Sequence, residues 1–147
     1  MDMRRDLAIV LAMQEDTYRG NFPGFRFSQA FLDEFRQVLR YAARSSDEAL
    51  YVAERDDSGV VGFLWVCIMW LDYEETQRVA LVKNVSVTPP ARRQGIGRRL
   101  MLEAEAFAQR KGATKLTLQV TTSNVPAVEL YRSLGYEVER YYMSKRV

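Results

Sequence analysis

The chain has 147 residues, enough for one domain with a substantial core, and no second domain is expected. Of these, 48% are apolar and 27% charged, and the net charge is only +2, so total charge gives no case for nucleic-acid binding. There is no histidine and a single cysteine, which removes imidazole bases, Ser-His and Cys-His dyads, His/Cys zinc sites and internal disulfides; no metal site is expected.

Met1 to Asp6 carries charges, but the apolar stretch Leu7 to Met13 behind it is too short for a secretory signal and runs into Gln14, Glu15 and Asp16. The longest apolar run, Val60 to Leu71, is too short to span a bilayer. The expectation is a cytoplasmic protein with no membrane partner.

Leu7, Val10 and Leu11 predict a first helix that ends before Gly20-Asn21 and Pro23-Gly24. The loop from Arg19 to Phe27 then sets Phe22, Phe25 and Phe27 among turn residues, where aromatics most often close a small core. Ser28 is a candidate cap for a second helix with Phe31, Phe35, Val38 and Ala42 on one face, running to about Arg44. Ala49 to Glu54 and Val60 to Leu71 read as a hairpin through Asp56-Asp57-Ser58-Gly59. Its second strand is apolar throughout, as a central strand covered on both faces would be, and Cys67 within it reads as a small buried residue rather than a reactive thiol. Glu74 and Glu75 mark a turn before a strand over Arg78 to Val87, whose alternation Val79, Leu81, Val85, Val87 is broken at Lys83, the pattern a bulge would leave.

From Val85 to Leu102 the sequence VSVTPPARRQGIGRRLML carries that strand through a Gly- and Arg-rich loop into a helix. Pro89 and Pro90 stop the strand because neither can donate to a sheet ladder, while Gly95 and Gly97 let backbone approach a ligand closely. Ile96, Leu100, Ala104 and Phe107 recur at helical spacing, so the helix should lie on a sheet with its first N–H groups facing out of the loop. Unpaired N–H groups at the positive end of a helix dipole attract a phosphate anion, and Arg92, Arg93, Arg98 and Arg99 add charge there: the loop reads as a diphosphate cradle. Leu100 stands where a dinucleotide-binding fingerprint needs its third glycine, and the Gly-Lys-Ser/Thr of a P-loop is missing. The plainer alternative is a strand-to-helix turn with solvated arginines.

Downstream, KLTLQVT at residues 115–121 alternates like a half-buried strand. Asn124 is a good N-cap, Pro126 is tolerated in a first turn, Ala127, Leu130, Tyr131 and Leu134 share a face, and Gly135 sits at a C-cap position, so a short helix follows.

Arg92-x-x-Gly95-x-Gly97 resembles the acyl-CoA loop of GNAT superfamily N-acetyltransferases. The order Asn124, Ala127, Leu130-Tyr131, Gly135-Tyr136 resembles their second signature. The resemblance covers Tyr51 to the C-terminus well and the first fifty residues poorly. It implies one acyl-CoA N-acyltransferase domain over residues 1–147, with a mixed α/β (α+β) fold. Its sheet would be mostly antiparallel, flanked by helices, with splayed central parallel strands. The family's first strand has almost no room ahead of the first helix, so a sheet lacking it is a stated departure. The resemblance further implies acetyl-CoA as cosubstrate. Its pantetheine would pair with backbone around Val85, Ser86 and Val87, near a bulge that parts the strands. Its pyrophosphate would lie on the loop opened by Arg92, against N–H groups of Arg93, Gln94, Gly95, Ile96, Gly97 and Arg98. Direct attack by a primary amine of a small molecule or protein would follow, with the Val87 N–H steadying the oxyanion and Tyr131 as general acid toward the thiolate. Asn124 is divided between N-cap and cofactor contact. The aromatics of the Arg19 to Phe27 loop would fall on the acceptor side. A Glu base found in members that acetylate protein N-termini is matched here by Gln119, which cannot be a base, and Asp72, Glu74 and Glu75 are weak substitutes. A CoA-binding regulatory module without turnover is the alternative, and nucleic-acid binding by the four arginines ranks last, because no aromatic interleaves them. A homodimer covering the free sheet edge is compatible with this reading.

Overall fold

The computed structural model describes residues 1–22, 24, 26–70, 78–145 and 147. In chain order its elements are α1 (Leu7–Asn21), α2 (Gln29–Ala42), β1 (Glu48–Arg55), β2 (Gly59–Trp70), β3 (Arg78–Val87), a short 3-10 turn (Pro89–Ala91), α3 (Ile96–Arg110), β4 (Lys115–Leu118) and α4 (Val125–Ser133).

The chain uses local signals to delimit these pieces. At the start of α2 the Ser28 hydroxyl accepts from the Phe31 N–H at 3.1 Å, satisfying one orphan donor of the first turn. At the end of α4, Gly135 takes φ 86° while the N–H groups of Gly135 and Tyr136 return to the carbonyls of Arg132 and Tyr131, a Schellman closure. Two boundaries and one buried face differ from the sequence reading. Helix α1 continues through Gly20 to Asn21 instead of stopping before them. On α2, Leu39 and Ala42 are buried whereas Val38 is exposed, so the buried stripe is rotated from the one expected. Strand β4 ends at Leu118, three residues short of the alternating stretch.

The sheet order is β1-β2-β3-β4, with β1, β2 and β3 antiparallel and β4 parallel to β3. Among the described residues no strand precedes α1: residues 3–6 form turns, and the Met1 ammonium donates to the Leu50 carbonyl on β1 at 3.3 Å. Strand β2 is the centre of the molecule, buried from Val61 to Cys67 because helices cover it on both sides. On one face α3 and α4 bring Leu100, Met101, Ala104, Phe107 and Tyr131 against Leu64, Val66, Ala80 and Val82. On the other face α1 and α2 bring Val10, Met13, Leu39 and Ala42 against Phe63 and Trp65.

The break at Lys83 is a bulge. Trp65 pairs with Asn84 and Val66 with Val82, which leaves Lys83 as the extra residue of β3. Lys83 is held there by a long-range group: its Nζ lies 4.4 Å from the Trp65 ring centroid and 3.3 Å from Glu48 Oε2, which also accepts from Trp65 Nε1 at 2.6 Å.

Candidate active site

The bulge decides what the second half of β3 offers. Val79 to Val82 pair with Lys115 to Leu118, and there the pairing stops, so residues 83–87 have no β4 partner among the described residues. The Thr88 N–H donates to the Val61 carbonyl at 2.9 Å, marking a hydrogen-bonded pair of the antiparallel ladder. Because such pairs alternate, Ser86 commits its N–H and C=O to Phe63, while Val85 and Val87 turn theirs away from β2, toward the side where β4 has ended. The strands therefore part as expected. Of the three residues expected to present backbone to a pantetheine arm, Val85 and Val87 turn their N–H groups to the open side, whereas Ser86 is corrected to a residue whose backbone is already used by Phe63.

The loop behind β3 has the form of an anion nest. Gly95 has φ 79° and Arg93 φ 63°, so two left-handed residues lie one apart and turn successive N–H groups to one side. The first bond of the α3 ladder is Arg99 N–H to the Gly95 carbonyl at 3.0 Å, and the N–H groups of residues 93–98 meet no acceptor among the described residues. A left-handed arginine is a strained choice, of the kind that persists where backbone geometry serves a site. Gly97 has a different role: a Cβ there would lie 3.2 Å from Leu130 Cδ2, so its bare backbone lets α3 pack against α4.

The side chains of this loop divide in a way the sequence did not reveal. Arg92 Nη2 is 2.6 Å from Asp16 on α1 and its Nε donates to the Val87 carbonyl at 3.0 Å, so Arg92 staples the loop. Gln94 is likewise engaged, accepting from Arg55 at 2.7 Å and donating to the Pro90 carbonyl at 3.1 Å. Ile96 turns its side chain to the core and keeps only its N–H for a ligand. Arg98 reaches Ser133 Oγ at 3.4 Å, while Arg93 and Arg99 are exposed with no side-chain partner among the described residues.

Tyr131 sits in the α3/α4 core, 8% exposed, its ring 5.8 Å from that of Tyr136. Burial pushes its phenol up to about 12, and its hydroxyl makes no hydrogen bond among the described residues. Asn124 precedes α4 but its side chain does not cap it; Nδ2 donates instead to Asn21 Oδ1 at 3.1 Å, tying the end of α1 to the loop after β4. Cys67 is buried and burial raises its thiol, as expected of a packing residue. Gln119 is exposed just past β4. Pro23, Phe25, Leu71, Asp72, Glu74 and Glu75 lie outside the described residues. Among the described residues no group of His, Cys, Asp and Glu could hold a metal ion, and no helix is long and apolar enough to cross a membrane.

A nest at the start of a helix, fed by a strand whose edge opens at a bulge, suits an extended ligand that ends in a diphosphate. The model of the acetyltransferase (GNAT) family matches residues 11–136, and the chain belongs to that family. It is 35% identical over 91 residues to streptothricin acetyltransferase of Streptomyces lavendulae, an alignment covering 62% of this chain and 46% of that protein. With mycothiol acetyltransferase of Saccharomonospora viridis it shares 31% identity over 106 residues, 69% of this chain and 35% of that one. The chain thus spans about half or less of the length of these curated relatives. Two solved structures share the fold. Aminoglycoside 6'-N-acetyltransferase AAC(6')-IG of Acinetobacter haemolyticus has a TM-score of 0.71 at 20% identity, over 97% of this chain and 93% of that one. AAC(6')-Iy, in complex with a bisubstrate analogue of CoA and acetylneamine, has a TM-score of 0.73 at 16% identity, over 97% and 92%.

Proposed function

We propose that this protein transfers the acetyl group of acetyl-CoA to a primary amine by direct attack. The observation that carries the reading is the nest at residues 93–98 behind the open edge of β3, a diphosphate site leading to free N–H groups at Val85 and Val87. Acetyl-CoA supplies an acetyl group activated as a thioester. The nest holds its pyrophosphate, with Arg93, Arg98 and Arg99 adding charge, and the Val85 backbone pairs with an amide of its arm. As the neutral amine attacks and the C–N bond forms, the Val87 N–H donates to the developing oxyanion. The C–S bond then breaks, the nitrogen loses its proton to water, and the thiolate remains to be stabilised.

Tyr131 is the residue for that last step, and the magnitudes define how it acts. With its phenol at about 12 and a thiol near ~8.5, complete proton transfer is uphill by roughly 5 kcal/mol. Tyr131 therefore acts by donating a hydrogen bond to the thiolate, which takes its proton from water. Cys67, buried with a raised thiol, is not a nucleophile, so no covalent enzyme intermediate forms.

The same proposal puts the reaction in the cytoplasm and allows a homodimer paired along β1, whose outer edge receives only the Met1 ammonium among the described residues. The first experiment is a thermal shift with acetyl-CoA, CoA, NAD and ATP in parallel, followed by free-thiol release with a panel of primary amines. A ligand at a hundred times its dissociation constant stabilises by about 2.7 kcal/mol, so a shift confined to the two CoA species is expected. Equal shifts with NAD or ATP, or none with CoA, would end the reading.

A further inference from the structure

Away from the acyl-CoA site, the first turns of α1 and the last turns of α2 enclose an open groove of about 720 Å³. Its floor is apolar: Leu7 and Leu11 stand four residues apart on one stripe of α1, with Ala8 beside them. Its rim is cationic, for Arg36 and Arg40 stand four apart on α2, Arg44 follows in the turn behind it, and Arg4 lines the groove from the turn ahead of α1. Among the described residues neither an acid nor an aromatic lines the groove, although the whole chain carries a net charge of only +2. Asp33, one turn earlier on α2, holds Arg36 at 2.7 Å. Arg4, Arg40 and Arg44 have no ion pair or side-chain hydrogen bond among the described residues. Helix stability does not account for this rim. The dipole at the end of α2 favours Arg40 and Arg44, but Arg4 precedes the N-terminus of α1, where a cation is disfavoured.

We propose that this groove docks an acidic amphipathic helix of a partner protein, independently of the acyl-CoA site. All the rim cations are arginines, and a guanidinium takes a carboxylate through two parallel N–H bonds. Arg36 and Arg40 are about 6 Å apart along α2, which is also the separation of glutamates at i and i+4 on a partner helix. Such a helix carries its apolar stripe next to the acidic one, so Leu7 and Leu11 are covered as the arginines are paired. An extended segment would turn its acidic and apolar side chains to opposite faces. A nucleic acid has no use for the apolar floor and finds no aromatic platform here. A bilayer surface is broad, whereas this floor is recessed: Leu11 is 7% exposed while Arg4, Arg40 and Arg44 are exposed. Asp16 and Asn21, which reach Arg92 and Asn124, lie toward the other end of α1, so a docked helix leaves the acyl-CoA loop open.

The test uses the full chain and a fluorescent peptide of about 18 residues, long enough to hold a helix, with glutamates four apart and leucines on the adjoining stripe. Wild type should bind it in the micromolar range, and binding should weaken as salt is raised. Replacing the peptide's glutamates by glutamine, or its leucines by serine, should weaken binding about tenfold or more, and so should Arg40→Glu/Arg44→Glu in the protein. Arg4→Glu alone should weaken it about threefold. Both protein variants should melt within a few degrees of wild type and keep the acetyl-CoA thermal shift, since these side chains hold no partner. If the double variant did not fold, Arg4→Glu and the peptide series on wild type would decide. No binding of the acidic peptide would overturn the proposal, as would equal binding by the altered peptides or by the reversed arginines. Tighter binding to vesicles of phosphatidylserine and phosphatidylcholine in equal parts, or to duplex DNA, would also overturn it and give the arginines to phosphate.

Discussion

Tyr131 illustrates how one side chain carries packing and chemistry together. Its ring completes the core under α3 and α4, and the same burial raises its phenol to about 12. Tyr131→Phe keeps the ring and removes the donor, so turnover should fall about tenfold to a hundredfold with KM for acetyl-CoA changed less than about twofold; full turnover would remove Tyr131 from the chemistry. The raised phenol also has a stability consequence of defined sign. The folded state binds the proton more tightly than the unfolded chain, so this contribution is complete below the ordinary tyrosine value, near ~10, and is lost as pH rises through the folded value of about 12. At pH ~11 the loss is about 1.4 kcal/mol. Urea titrations at pH 8 and 11 should therefore show wild type losing more stability than Tyr131→Phe, and equal losses would place the phenol in contact with water.

The elements around the nest separate what local sequence encodes from what only the folded chain displays. Gly95, Gly97, the prolines and the helical spacing behind them were legible, since backbone conformation and helix start are set by residues close together. Gly95→Ala should cost about 1 kcal/mol in a melt, because its φ of 79° is unfavourable for any residue with a Cβ. The role of Arg92 was not legible, because its partner Asp16 is on α1, far away in sequence. This gives a prediction opposite to simple charge counting. Removing an acid near a phosphate site ought to strengthen anion binding, yet Asp16→Asn releases the staple and should weaken the acetyl-CoA affinity up to about fivefold, the scale of an exposed pair. Tighter binding in that variant would instead make Arg92 a direct phosphate ligand. Asn21 with Asn124 and Glu48 with Trp65 and Lys83 escaped the sequence reading for the same reason, as did the side-chain face of Ser86, which depends on the register of a bulged strand.

Across the whole molecule, the sheet is legible as far as each strand speaks for itself. Strand β2 announced its central place by an unbroken apolar run, and the alternation of residues 115–121 announced β4. That Gln119 and Val120 nevertheless leave the sheet is a property of the pair of strands, because β3 turns away at Lys83 and no partner remains. The single extra residue thus parts the strands for the acyl-CoA arm and breaks the alternation of β3, so that Ala80 and Val82 face α3 while Asn84 and Ser86 face α1. Deleting Lys83 would leave Asn84 opposite Trp65 and Val82 opposite Val66 with no extra residue between them, so the faces of residues 84–87 are kept and only the bulge that turns β3 from β4 is lost. Lys83→Ala keeps the extra residue and loses only the contacts to Glu48 and Trp65, a cost of about 1–2 kcal/mol. The deletion should therefore abolish the acetyl-CoA thermal shift by closing the opening between β3 and β4, whereas the alanine variant should still bind. If the two behaved alike, the opening of the sheet would have to be set by β4 and the loop after it, and the bulge would be a consequence of the parted strands and not their cause.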